Sequence, residues 1–302
     1  MLYAIILSLF VLSSQSARIG YRDEFARDTM FPLAAAAYSD APQDCFKSLG
    51  VNYTMVQEVL VSCSPDDDST CFGYIAVSHE RNAIILAFRG TMGIHQIEDE
   101  VWDIAQEPRV PFVAGGSVAE YFSDVFSALW TGGIKDALLS AARDHPSYQV
   151  WITGHSLGAA IGSLTALYIS RTKVVQPESI VLVSFGQPRV GDRAFADAAD
   201  KLVPNAYRII HAQDVVPHFP PAFLGYLHHM TEIFYDNNME SRTSFVICEG
   251  NEDPLCSNLY LLSTSLEDHQ WYFGKQVSRY GKNKCVSNDD NTQFVVKRLT
   301  TI

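Results

Sequence analysis

The chain has 302 residues, with 34 acidic against 22 basic side chains and a formal net charge of −12. That balance argues against nucleic acid as a partner and against tight binding to an anionic membrane surface. The length suits one α/β domain, and no internal repeat, low-complexity linker or Pro/Ser-rich hinge divides it.

Residues 1–12 are almost entirely apolar, and the small polar stretch Ser13-Ser14-Gln15-Ser16-Ala17 follows. This reads as a secretory signal peptide cut after Ser16 or Ala17, leaving one domain over 18–302. The apolar run is too short to span a bilayer comfortably, and no later segment has the length of a transmembrane helix, so a secreted, extracellular protein with no stable membrane anchor is expected. A helix is predicted over 21–38, ending in the alanine run 34–37. Asn52-Tyr53-Thr54 is a glycosylation acceptor, consistent with export. Segments 72–78 and 83–88 read as two strands around the turn His79-Glu80-Arg81-Asn82. Residues 117–142 read as mostly helical, with a break near Thr131-Gly132-Gly133. A strand over 148–153 and a helix over 159–170 follow, then a strand over 179–185, a helix over 195–202 and a strand over 207–211. Segments 231–235 and 243–248 read as a final antiparallel pair. Strands alternating with helices give a mostly parallel sheet covered on both faces.

Six cysteines in an exported chain suggest three disulfides. Cys63 lies near Cys71 and Cys248 near Cys256, which leaves Cys45 with Cys285. This is the most economical of several possible pairings. Asp66-Asp67-Asp68 reads as a solvated loop, since the spacing of an EF-hand calcium loop is absent.

The most informative segment is Gly154-His155-Ser156-Leu157-Gly158, set between the strand over 148–153 and the helix over 159–170. A G-x-S-x-G placed between strand and helix is the pattern of a nucleophile elbow. The turn is so tight that side chains at 154 and 158 would collide with neighbouring backbone. It pushes the Ser156 hydroxyl out and aims the Leu157 N–H and the helix N-terminus at the place where negative charge would form. The bland reading is a strand-to-helix turn with a surface serine, so the rest of the chain must supply the other parts.

A serine hydroxyl needs an imidazole to take its proton and a carboxylate to hold that imidazole in the right tautomer. In α/β-hydrolases the chain order is serine, carboxylate, histidine. Asp214 directly follows the strand over 207–211, and loops at the carboxyl ends of strands are where open α/β sheets build their sites. The rival Asp192 looks like the N-cap of the next helix. Four histidines lie downstream. His218 is too near Asp214, with Pro217 stiffening the link. His228 and His229 precede a strand and suit polar or core contacts. His269 comes after the last predicted strand, where the imidazole of such a site belongs. For the oxyanion, one donor is the Leu157 N–H, and the candidate for the other is Thr91, in the turn Phe88-Arg89-Gly90-Thr91 that ends an early strand.

Together these segments resemble the class 3 lipase family, which includes fungal triacylglycerol lipases and feruloyl esterases. The matching pieces are Phe88-Arg89-Gly90-Thr91, 153–159, 185–191, 214–218 and Asp268-His269 ahead of Tyr272-Phe273. The resemblance implies an α/β-hydrolase fold, a triad of Ser156, Asp214 and His269, and oxyanion donors at Thr91 and Leu157. It places His218 and His228 at non-catalytic positions, and the cysteine arrangement is similar to the family's three-disulfide pattern. The family's lid would fall after Thr91. Here Ile94, Ile97 and Val101 form one apolar stripe, but Glu98-Asp99-Glu100 make the segment more acidic than the family pattern. The expected activity is hydrolysis of lipid esters, triacylglycerol first, with no metal or cofactor. The alternatives are a soluble carboxylesterase, a phospholipase A1, a feruloyl esterase, or a lipase-like protein that binds lipid without catalysis.

Overall fold

The computed structural model describes residues 20–63, 69–92, 104, 106–260 and 265–287. The expected signal segment, the Asp66-Asp67-Asp68 loop and the lid positions Ile94, Ile97 and Val101 lie outside the described residues.

Eight of the strands make one sheet: β1 (Thr54–Ser62), β2 (Thr70–Ser78), β3 (Ala83–Phe88), β4 (Gln149–His155), β5 (Ile180–Phe185), β6 (Ala206–His211), β7 (Thr231–Tyr235) and β8 (Val246–Cys248). Their order in space is their order in the chain. β3 to β7 run parallel, while β1, β2 and β8 pair antiparallel at the two edges. The mostly parallel α/β-hydrolase architecture expected from the sequence is therefore present.

Parallel strands need crossovers, and these supply the covering helices. α1 (Phe31–Ala36) ends a helix that starts at Asp23–Phe25 and passes through a π-helical stretch, Ala26–Met30. It is followed by α2 (Pro42–Ser48), α3 (Glu120–Leu129), α4 (Lys135–Asp144), α5 (Leu157–Arg171), α6 (Arg193–Leu202), α7 (Leu266–Gln270) and α8 (Val277–Lys282). The period-two geometry of the strands divides the core in two. Ile84, Leu86 and Phe88 of β3 point into a cluster with Phe122, Val125, Leu164 and Phe195 from α3, α5 and α6. Ala83, Ile85 and Ala87 point the other way, to Ala34 and Ala35 of α1 and Val277 and Tyr280 of α8. Both faces being covered, β3 and β5 are buried along their whole length. Each such aliphatic side chain contributes about 1.5–3 kcal/mol of burial.

The first and last described segments meet on one face of the sheet. Disulfides join Cys45 to Cys285, Cys63 to Cys71 and Cys248 to Cys256, which is the economical pairing. α8 approaches α1 so closely that a Cβ on Gly281 would sit 1.8 Å from the Ala35 carbonyl oxygen.

Two local features differ from the sequence expectation, and the expected break in the helix over 117–142 is present. β1 was not anticipated: it is an edge strand, its only buried residue is Val59, and a register shift between Met55 and Gln57 breaks the alternation that would mark it. The helix expected from residue 117 starts at Glu120, because Ser117–Ala119 pairs with Arg109–Pro111 in a small antiparallel ribbon. The break near Thr131-Gly132-Gly133 is a π-helical segment, Trp130–Ile134, in which Gly133 takes φ +145°.

Substituting Gly281→Ala should force α1 and α8 apart and cost about 1–3 kcal/mol, the usual penalty of overpacking. The urea midpoint of the folded protein reads this directly, and an unchanged midpoint would contradict the close approach.

Candidate active site

Ser156 sits between β4 and α5 with φ +59° and ψ −128°, a strained conformation for a residue with a Cβ. The surroundings leave it no alternative. Its N–H donates to the Phe185 carbonyl at 3.0 Å, and its own carbonyl accepts from the Ala159 N–H at 2.9 Å. A Cβ on Gly154 would lie 2.3 Å from the Gly158 carbonyl oxygen, and one on Gly158 would lie 2.1 Å from the Phe88 carbonyl oxygen. Strand, turn and helix are thus in direct backbone contact. Leu157 opens α5, so its N–H is among the amides that the helix itself cannot satisfy.

Thr91 follows β3 and is partly exposed. The loop carrying it leans on the elbow: a Cβ on Gly90 would be 2.5 Å from the His155 carbonyl oxygen and 3.0 Å from the Ser156 Cβ.

Asp214 lies in the loop after β6, and both it and His269 are fully buried. His269 Nδ1 lies 2.9 and 3.0 Å from the two carboxylate oxygens. The Tyr272 hydroxyl donates to Oδ2 at 2.7 Å and the Val216 N–H to Oδ1 at 2.9 Å. An ionised carboxylate only accepts, so Nδ1 carries the proton and Nε2 offers its lone pair. Burial opposes charge on Asp214. The charge and hydrogen bond of His269, then the Tyr272 hydroxyl and the Val216 N–H, outweigh it and hold the carboxyl below its usual range. Gly186, at φ +56°, lines this pair: a Cβ there would come within 2.8 Å of both Asp214 Oδ2 and His269 Nδ1.

The two loops carrying Asp214 and His269 are pinned together. Ser265 N–H donates to the Gln213 carbonyl at 3.1 Å, and Gln213 N–H donates to Asp268 Oδ2 at 3.1 Å. Ser265 Oγ also caps α7 by accepting from the Asp268 N–H at 2.9 Å. His269 Nε2 is buried and has no hydrogen-bond partner, so no bond joins it to Ser156 here. Such contacts are commonly open without substrate and close in the reacting complex.

The rival residues have structural places. Asp192 caps α6 by accepting from the Phe195 N–H at 2.9 Å. His228 Nε2–H donates to the Pro217 carbonyl at 2.7 Å, and His229 Nε2 pairs with Ser163 Oγ at 2.6 Å. Burial, then the Arg208 guanidinium, lowers both imidazoles, His229 to about 3, so both stay neutral in the core. Reading the sequence assigned no role to Tyr272, Gly186 or Tyr38, whose partners are remote in the chain. Asn52 is exposed, as a glycan acceptor must be.

The family described as Lipase (class 3) matches residues 85–224. A Caenorhabditis elegans lipase is 33% identical over 317 aligned residues, covering 93% of this chain and 88% of that one. The chain belongs to the class 3 lipase family. A Rhizomucor miehei lipase is 33% identical over 207 residues; the match spans 66% of this chain and about half, 54%, of the fungal one. A solved triacylglycerol lipase, whose catalytic centre is described as a serine protease triad, superposes with a TM-score of 0.73 at 26% identity, over 86% of this chain and 98% of that one.

One ion pair fixes the loops beside Asp214. Arg189 Nε and Nη2 each reach Glu252 at 2.8 Å, while Nη1 donates to the His218 carbonyl at 2.7 Å. Burial raises the Glu252 carboxyl, but the Arg189 bond and charge, the His228 N–H and Asn258 bring it down from 4.5 to about 2. A depressed carboxylate stabilises the fold above its unfolded value and loses that contribution as pH falls through the folded one. Glu252→Gln should therefore lower stability near neutrality and flatten the acid loss between pH 4.5 and about 2. Urea unfolding across that window checks it; parallel curves for the two proteins would refute it.

Proposed function

We propose that the protein is an exported serine hydrolase that cleaves lipid carboxylic esters, with triacylglycerol as the substrate, through an acyl-enzyme. Ser156 is the nucleophile, His269 the base and Asp214 the group that orients and stabilises the imidazolium. The observation that carries this reading is the Asp214–His269 pair, with Nδ1 protonated toward the carboxylate, together with a serine strained at the head of α5.

Ser156 Oγ attacks the ester carbonyl as His269 Nε2 takes its proton. The oxyanion forms against the N–H groups of Leu157 and Thr91, each worth roughly 10²–10³ in rate. The alcohol leaves with the proton from His269, and water enters by the same route to release the acid. The named activities of the relatives support the ester class, and the serine protease triad described for the solved triacylglycerol lipase supports the assignment of roles. Three disulfides support export. Among the described residues no helix is long and apolar enough to cross a membrane. Asn52 is the proposed glycan site, and Ile94, Ile97 and Val101 are the proposed apolar stripe of the lid.

The test is hydrolysis of dispersed triolein and of soluble p-nitrophenyl butyrate, with Ser156→Ala beside the wild type. Both activities should fall by roughly 10⁴-fold or more in the variant. Butyrate turnover without triolein turnover would replace the lipase reading by a soluble esterase. Undiminished turnover in Ser156→Ala would remove the serine mechanism altogether.

A further inference from the structure

A chain of one packing contact and two hydrogen bonds runs from the loop of Thr91 to the backbone of His269. The Tyr38 hydroxyl packs on the Gly90 backbone, where a Cβ would come within 2.4 Å of it. That hydroxyl lies 2.8 Å from His155 Nδ1, and His155 Nε2 lies 2.7 Å from the His269 carbonyl oxygen. The directions are fixed by chemistry. A carbonyl oxygen can only accept, so His155 carries its proton on Nε2. Nδ1 then has only a lone pair, so the Tyr38 hydroxyl must give its proton to it.

Every member is buried; Tyr38 is 3% exposed and His155 4%. The His155 ring also faces the His269 ring, with centroids 4.5 Å apart and planes at 30°. Burial, then the charge of neighbouring His269, lowers His155 to about 3, so it is a neutral ring against the base throughout the working range. A cation there would oppose the imidazolium that the reaction needs.

We propose that Tyr38 and His155 are positioning residues, holding the oxyanion loop and the imidazole of His269 in one register about Ser156. The inference rests on the function proposed above. His155 is well placed for this task. It is the residue before the nucleophile, so whatever its side chain grips is referred to the Ser156 backbone. Removing the Tyr38 hydroxyl leaves His155 Nδ1 without that partner and opens a gap against the Gly90 backbone in a buried site. The peptide planes on either side of Gly90 are then free to rotate, and one of them carries the Thr91 N–H. Small misplacements of reacting groups cost up to about 10²-fold in rate.

The experiment compares Tyr38→Phe with Tyr74→Phe in the full chain. Tyr74 is fully buried and donates to the Leu33 carbonyl at 2.8 Å, so its loss removes an equivalent buried bond unconnected to the site. With p-nitrophenyl butyrate, Tyr38→Phe should lower kcat about 10–100-fold with KM within about threefold, while Tyr74→Phe stays within twofold of wild type. His155→Leu should behave like Tyr38→Phe. His155→Gln should recover most of that loss, because its amide can donate to the His269 carbonyl and accept from Tyr38. A kcat within twofold of wild type in Tyr38→Phe, equal losses in Tyr38→Phe and Tyr74→Phe, or a change in KM alone would overturn the proposal. So would a His155→Gln no better than His155→Leu. Should His155→Leu fail to fold, Tyr38→Phe against Tyr74→Phe decides. If the wild type hydrolyses no ester, the function reading fails separately. The positioning role is then read from the imidazole NMR resonances of His269, which should move in Tyr38→Phe and not in Tyr74→Phe; unmoved resonances would overturn it.

Discussion

Backbone contact between the end of β3 and the first turn of α5 governs the rest of the molecule. Phe88 and Gly154 are register partners in adjacent parallel strands, and α5 must leave β4 and turn back over the sheet within one residue. The contact of the Phe88 carbonyl with Gly158, and of Gly158 with Gly154, leaves no room for a side chain between them. Ser156 takes up the whole turn and with it a strain of about 1–3 kcal/mol. The helix that follows supplies the compensation. All of α5 except Tyr168 and Arg171 is buried, so the segment cannot relax its entry angle without exposing Ala160, Ile161, Leu164 and Leu167.

Once the serine is fixed, the polar groups around it are constrained by burial. A carboxylate as deeply enclosed as Asp214 stays charged only if donors replace water. Its donors come from three places: the Val216 N–H in its own loop, the imidazole of His269 and the hydroxyl of Tyr272. Two of the three lie past residue 265, so the same bonds that keep the carboxyl ionised also fold the C-terminal segment onto the sheet. The chemistry and the architecture share one set of contacts, which is why Gly186 must lack a side chain at a point remote from the serine in sequence.

The proposed serine, carboxylate and histidine stand out in the sequence because each sits beside a local signal: a G-x-S-x-G between strand and helix, an aspartate straight after a strand, a histidine after the last predicted strand. Their supports were not. Tyr38 and His155 are 117 positions apart, and Arg189 and Glu252 are 63 apart. Neither pair has a periodicity or turn signature that would bring it together. The same holds for the fold. β3 and β5 announce themselves as continuous apolar runs because both their faces are covered. β1 is shallowly buried and bulged, and its pairing with β2 becomes visible only in three dimensions. Ser117–Ala119 takes a strand conformation because Arg109–Pro111 lies alongside it, and the Val118–Gly191 bridge extends that pairing.

Two of the three disulfides lie at the edges of the sheet. Cys63–Cys71 staples β1, whose residues are mostly exposed, to β2. Cys248–Cys256 closes the loop beyond β8, an edge strand with Val246 and Ile247 half exposed. Cys45–Cys285 joins the segments that meet over one face of the sheet. The five parallel strands need no such help, since two covered faces hold them. The cross-link beyond β8 also bears on the site. The loop it closes contains Glu252, which grips Arg189, which in turn holds the His218 carbonyl four residues from Asp214. The Cys248–Cys256 cross-link therefore closes the loop whose Glu252 ion pair ties it to the residues beside Asp214.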